Sequence, residues 1–306
     1  MWIGVIDRFR TFEQNLQLTE AQIEDGVKKV LGVQQCLNRH YYGSSHGMEH
    51  CFLVGSWGKG TLTRPPRDID IYFVLPAHVF QRFSTNVGNR QSALLQEVKN
   101  VLARTYSTTE MRGDGQVVVV KFSTMNVEVV PAFSLGNDRY LICDTHDGGR
   151  YVETAPKSEW DCINSNDTAN ADNLRPLIKM LKAWQAYCSV PIKSFQLELV
   201  VVEFLRQSPW RLKGYFYYDW LMRDFFAFLY HSANRYVYVP GTNEPIFLGD
   251  AWQSRAESAY GRALKACEYE QLDLVRMAGE EWQKIFGPQI RKNQGLGLAA
   301  AALLGS

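Results

Sequence analysis

The chain has 306 residues, 46% of them hydrophobic, with 33 basic side chains against 32 acidic ones for a net charge of +1. That supply of apolar residues suits one large bilobal unit or two small domains and excludes a disordered chain. The near-neutral balance gives no whole-protein pull toward a polyanion, so there is no strong sign of duplex nucleic-acid binding.

No apolar run reaches the roughly 18 residues of a membrane span, and Met1 to Arg8 lack the ordered basic, apolar and cleavage regions of a signal peptide. The cysteines at 36, 51, 143, 162, 188 and 267 contain no C-x-x-C pair, so neither a disulfide framework nor a zinc ribbon is signalled. A cytoplasmic protein with reduced thiols and no membrane partner is the expectation.

In chain order, Thr19-Glu20-Ala21-Gln22 fits a capping box. Ile23, Val27, Val30, Leu31 and Leu37 then recur near helical spacing, which predicts a long helix over about 20–40. His46, His50 and Cys51 lie in or just after a Gly/Ser-rich loop without a fourth ligand at the usual spacing, so a structural zinc site is not expected there. The short apolar run Phe52 to Val54 leads into Gly55 and Ser56, and Gly60 with Thr61 closes the turn. Backbone N–H groups and two hydroxyls in such a turn suit a phosphate chain, with glycine needed where the backbone approaches the ligand. The order differs from a Walker loop, because Lys59 precedes Gly60.

Asp68 and Asp70 follow, two residues apart on a predicted strand whose remaining members, Ile69 and Ile71 to Leu75, are apolar or aromatic. Strand side chains alternate, so the two carboxylates share one face while Ile69 and Ile71 face the core. Burying unpaired carboxylates is unfavourable, and Mg²⁺, which prefers oxygen ligands, is the natural compensation. A bare D-x-D also describes two surface acids on a solvated edge strand; the Gly-Ser turn upstream favours the site.

Gln91 to Tyr106 reads as a helix with Leu94, Leu95, Val98 and Leu102 on one stripe. Val117 to Phe122 and Val127 to Phe133 read as a hairpin, and Glu128 is the only charge inside its second run. Glu128 fits either a third metal-binding acid or the solvent-facing position of an alternating strand. The change from strand-rich to helix-rich chain is expected near Asp144 to Gly149. Leu174, Leu177, Ile178, Leu181 and Trp184 then form one apolar stripe flanked by Lys179 and Lys182, and Phe195 to Val202 opens another helix. Tyr215 to Tyr230 is rich in aromatics, and Arg255 to Cys267 and Gln271 to Ile285 complete the helical part. The small, apolar residues from Asn293 to Ser306 read as a frayed terminus, with a partner-docking or conjugation tail as the other reading.

The GSWGKGT turn, Asp68-Ile69-Asp70 and the VEVVPAF segment around Glu128 together resemble the nucleotidyltransferase superfamily that includes polymerase β. More narrowly, the chain is similar to the bacterial CD-NTases, relatives of cyclic GMP-AMP synthase and oligoadenylate synthase. The likeness extends over about 20–288, through Leu177 to Trp184, Lys193 to Glu198 and Glu281 to Gly287. It implies an α+β, bilobal fold: a catalytic lobe at 1–150 with a mixed sheet, flanking helices and a spine helix spanning both lobes, a helical lobe at 151–290, and a flexible tail at 291–306.

It also implies nucleoside triphosphate substrates and two Mg²⁺ ions, replaceable by Mn²⁺, held by Asp68, Asp70 and Glu128. The third carboxylate would additionally take up the attacking hydroxyl's proton, directly or through water. The commonest family pattern has Asp where this chain has Glu128. Gly55 and Ser56 would contact the donor triphosphate, while Lys182 with Ser194 would close on its β and γ phosphates. Phe195 would either stack on a base or belong to the core. The implied product is a cyclic oligonucleotide that activates a separate effector protein in anti-phage signalling. Two other readings stay open: a template-independent linear or tRNA nucleotidyltransferase, and an inactive nucleotide-binding module, which would be expected to have lost one of the acids.

Overall fold

The computed structural model describes residues 3–46, 49–85 and 87–293. The elements in chain order are α1 (Ile3–Leu16), α2 (Glu20–Tyr42), β1 (Cys51–Leu53), α3 (Gly55–Lys59), β2 (Asp68–Val74), α4 (Ala77–Ser84) and α5 (Arg90–Thr105). Strands β3 (Met111–Asp114), β4 (Val117–Lys121), β5 (Asn126–Gly136), β6 (Arg139–Asp144) and β7 (Arg150–Thr154) follow. The remainder is α6 (Pro156–Ala169), α7 (Leu174–Tyr187), α8 (Ser194–Gln207), α9 (Tyr218–Tyr230), β8 (Tyr236–Tyr238), β9 (Pro245–Phe247), α10 (Gln253–Gln271) and α11 (Val275–Phe286).

Two compact units result. One takes Leu18–Asp161 with Pro240–Thr242; the other takes what precedes Leu18 and the rest of the chain from Cys162. The boundary expected near Asp144 to Gly149 is instead a turn joining β6 to β7 within the sheet. Asp147, Gly148 and Gly149 all have positive φ there, and Asp144 accepts hydrogen bonds from His146 and Arg150, which reverses the chain without ending the unit. The expected catalytic lobe also loses its first residues: α1 buries Val5, Phe9, Phe12 and Leu16 in the helical unit's core. The tail expected from 291 lies mostly outside the described residues. Its first two members are tied down, Arg8 donating to the carbonyls of Arg291 and Lys292.

In the strand-rich unit, α2 begins as the capping box predicts. The Gln22 amide donates to Thr19 Oγ1 at 3.3 Å and the Thr19 amide to Gln22 Oε1 at 3.0 Å. Gly43 ends this helix at a φ of 70°, where a side chain would be strained. The seven-stranded sheet runs β1-β2-β5-β4-β3, with β6 on the far half of β5 and β7 on β6. Only β2 and β5 are parallel; all other neighbours are antiparallel.

Alternation sorts the two faces. Ile69, Ile71, Phe73, Val118, Val120, Val127, Val129 and Phe133 bury one face with Val33 and Leu37 of α2 and Leu94, Leu95, Val98 and Leu102 of α5. The other face carries Asp68, Asp70, Asn126 and Glu128 at one end, and the smaller apolar cluster of Tyr72, Val130, Ala132 and Ile142 beyond them.

The helical unit has its own core, anchored by Trp184, Trp252, Trp282, Phe225 and Phe226, each 1% exposed or less. None of the six cysteines is in a disulfide. Among the described residues, no helix is long and apolar enough to cross a membrane.

Candidate active site

The parallel ladder of β2 and β5 builds the site. Its register sets Asp68 opposite Asn126 and Asp70 opposite Glu128, so all four side chains leave the same face of the sheet. The proximity is visible electrostatically. Burial pushes the Glu128 carboxyl up to about 7, and the neighbouring charges of Asp70, Asp68 and Asp114 push the same way while Arg112 opposes them. Asn126 Nδ2 donates to Asp68 Oδ1 at 2.8 Å.

The Gly-Ser turn sits directly over Asp70. Gly55 has a φ of 57°, and a Cβ there would lie 2.0 Å from Asp70 Oδ2. Any side chain at 55 would displace the carboxylate. The Val54 amide bonds the Asp70 carbonyl at 2.9 Å, tying the turn to β2, and Gly58 lies so close to the Leu53 carbonyl that a Cβ would meet it at 2.6 Å. Behind the turn, Trp57 packs on Gly26 of α2, where a Cβ would come within 2.6 Å of the indole. The Thr61 amide bonds the Ser56 carbonyl at 2.9 Å, so the whole Gly55 to Thr61 segment is a fixed platform headed by Ser56. Lys59 is buried and paired with Glu159 at 3.4 Å. A cleft of about 430 Å³ beside this platform is walled by Phe52, Trp57, Tyr140 and Trp160.

The donor set of the acidic face is all oxygen, three carboxylates and one amide, which is the chemistry hard divalent cations select. Among the described residues, no three His, Cys, Asp or Glu side chains already form a closed metal-ligand group. Burial and the like charges of Asp70 and Asp68 both raise the Glu128 carboxyl, and a bound cation would offset both. The residues fit a hard divalent cation in their chemistry, and they share a face and a register.

The remaining expected site residues lie in the helical unit. Lys182, expected on the flank of its helix, is 10% exposed and paired to Glu198 at 2.6 Å. Ser194 heads α8 and donates to Gln185 Oε1 at 2.9 Å. Phe195 is partly buried and packs against the helical unit's core. The sequence reading missed Asn126, Glu198 and the Arg112–Asp114 pair at 2.9 Å on β3. Only Asn126 left a signal, since it precedes Glu128 by one strand period.

A model described as the Second Messenger Oligonucleotide or Dinucleotide Synthetase (SMODS) domain matches residues 3–166, more than half of the chain. The protein named "Probable cyclic nucleotide synthase" of Bacillus cereus strain VD146 is 22% identical over 279 residues, covering 78% of this chain and 82% of that relative. A cyclic AMP-AMP-AMP synthase of an Acinetobacter strain is 28% identical over 137 residues, 44% of this chain and 39% of that protein. The solved structure of Escherichia coli MS115-1 CdnC with ATP shares the fold, with a TM-score of 0.67 at 17% identity over 94% of this chain and 99% of that one. With the family's domain spanning more than half its length, the chain belongs to the SMODS family, the CD-NTases, and is a nucleotidyltransferase of the class that makes cyclic oligonucleotides.

Proposed function

We propose that the acidic face of β2 and β5 is where nucleoside triphosphates are joined and closed into a ring, with release of pyrophosphate. The observation that carries this reading is the in-register Asp70–Glu128 pair, with Asp68 on the same face and Gly55 packed over Asp70.

In this reading Gly55 lets the backbone reach the donor, and the Ser56 hydroxyl and neighbouring amides hold its triphosphate. Asp68, Asp70 and Glu128 would hold two Mg²⁺ ions, with Mn²⁺ as a substitute. When bound, such ions polarise the attacking ribose hydroxyl and neutralise the departing pyrophosphate. Glu128 takes the hydroxyl proton, directly or through water. Lys182 and Ser194 contribute to triphosphate binding from the helical unit, and their test is a change in apparent nucleotide affinity. The Lys182–Glu198 pair means that lysine already has a counter-charge and would share it with the ligand. Family analogy extends the reading to a cytoplasmic enzyme of anti-phage signalling whose product activates an effector protein.

Purified protein incubated with labelled ATP, GTP, CTP and UTP and Mg²⁺, then treated with phosphatase and an exonuclease, tests the reaction. Label that survives both enzymes supports a ring. Digested label makes the product linear, and an absence of any product contradicts catalysis by this chain.

A further inference from the structure

We propose that Asn126 is a positioning residue that makes Asp68 a one-oxygen ligand, and so biases the site toward magnesium over calcium. The inference rests on reading Asp68, Asp70 and Glu128 as the cation site.

Asn126 opens β5 and stands opposite Asp68 in the parallel ladder. Its own amide is fixed by the Arg67 carbonyl at 3.1 Å, so the side chain starts from a defined point. From there Nδ2 donates to Asp68 Oδ1 at 2.8 Å. An N–H donated to an ionised carboxylate is among the stronger hydrogen bonds, and it orients the carboxylate without neutralising it. A lysine in the same place would cancel the charge that the cation needs. The nearest candidate, Lys121, faces Asn126 from β4, but its ammonium is engaged by Glu110 at 2.5 Å.

The consequence follows from the two metals. Ca²⁺ takes six to eight oxygens and accepts both oxygens of one carboxylate, whereas Mg²⁺ demands a near-ideal octahedron of single oxygens. With Oδ1 accepting from Asn126, a cation is steered to Oδ2, and a second contact through Oδ1 competes with that hydrogen bond, which serves magnesium and disfavours calcium's bidentate contact. Partners of this outer kind typically contribute 10- to 100-fold to metal affinity.

The test is titration of the metal-free, full-length protein with MgCl₂ and, separately, CaCl₂, followed by side-chain amide chemical shifts. Asn126→Ala and the near-isosteric Asn126→Leu are compared with wild type, with thermal melts confirming that the variants fold. The expected result is magnesium binding weakened about tenfold and calcium binding unchanged or tighter in both variants, with a fall in kcat at little change in nucleotide KM. Equal weakening of both metals, or no change in either, overturns the inference while leaving the site reading intact. Wild-type binding that persists undiminished in Asp70→Ala overturns the site reading and the inference together.

Discussion

The acidic face of β2 and β5 and the ion pairs of the helical unit treat charge in opposite ways. In the helical unit, three charge pairs are taken wholly or partly out of water: Arg8 with Glu270, Arg175 with Asp167 and Lys182 with Glu198. In the strand-rich unit, the ladder sets Asp70 opposite Glu128 with Asp68 beside them, and burial together with these like charges pushes the Glu128 carboxyl up to about 7. A paired buried charge fixes structure, whereas a cluster of one sign is a standing demand for a cation.

The sharpest way to break this contrast is to remove an acid from each unit. Asp70→Ala should reduce turnover on the order of 10³-fold while the melting temperature of the metal-free protein holds or rises, because like-charge repulsion is relieved. Turnover near wild type would make Asp70 an ordinary surface acid. Gly55→Ala should cost about 10²-fold in rate, since its Cβ would drive Asp70 out of place. It should also lose about 1 kcal/mol of stability from the left-handed backbone. A variant that melts lower but turns over normally would detach the turn from the chemistry.

In the helical unit, Glu198→Ala strands a buried ammonium and should destabilise the fold by about 3 kcal/mol. Lys182→Met combined with Glu198→Leu should recover most of it in denaturant midpoints. If the double variant is no better than the single, the pair contributes more than mutual compensation. The smallest effect concerns Asp219, which burial raises to about 6 from 3.8. The folded state keeps this proton where the unfolded chain has released it. Stability should therefore fall as pH rises from about 4 to about 6, by on the order of 2–3 kcal/mol. Asp219→Asn should flatten that slope, and an unchanged slope would assign it to other groups.

How much of this was legible in the sequence depends on the range of the interaction. The D-x-D face, the hairpin that carries Glu128 and the Thr19 cap follow from local periodicity, and each forms where the residues indicate. Which residue opposes which was not legible, because register is set by whole-strand packing; that Asp70 meets Glu128 and Asp68 meets Asn126 emerges only in the ladder. Glu198 pairs with Lys182 across sixteen residues and two helices, a contact that no spacing rule reaches. The Gly148-Gly149 turn misleads because a tight reversal inside a sheet has the composition of a linker. Val5, Phe9, Phe12 and Leu16 have helical spacing, but the sequence reading missed α1.

The most direct measurement is a crystal structure of the protein with Mn²⁺ and a non-hydrolysable nucleoside triphosphate, with the metal located by anomalous scattering. The account predicts manganese density bounded by the carboxylates of Asp68, Asp70 and Glu128, with the triphosphate against Gly55 and Ser56. Manganese bound elsewhere, with Glu128 turned away from the two aspartates, would contradict it.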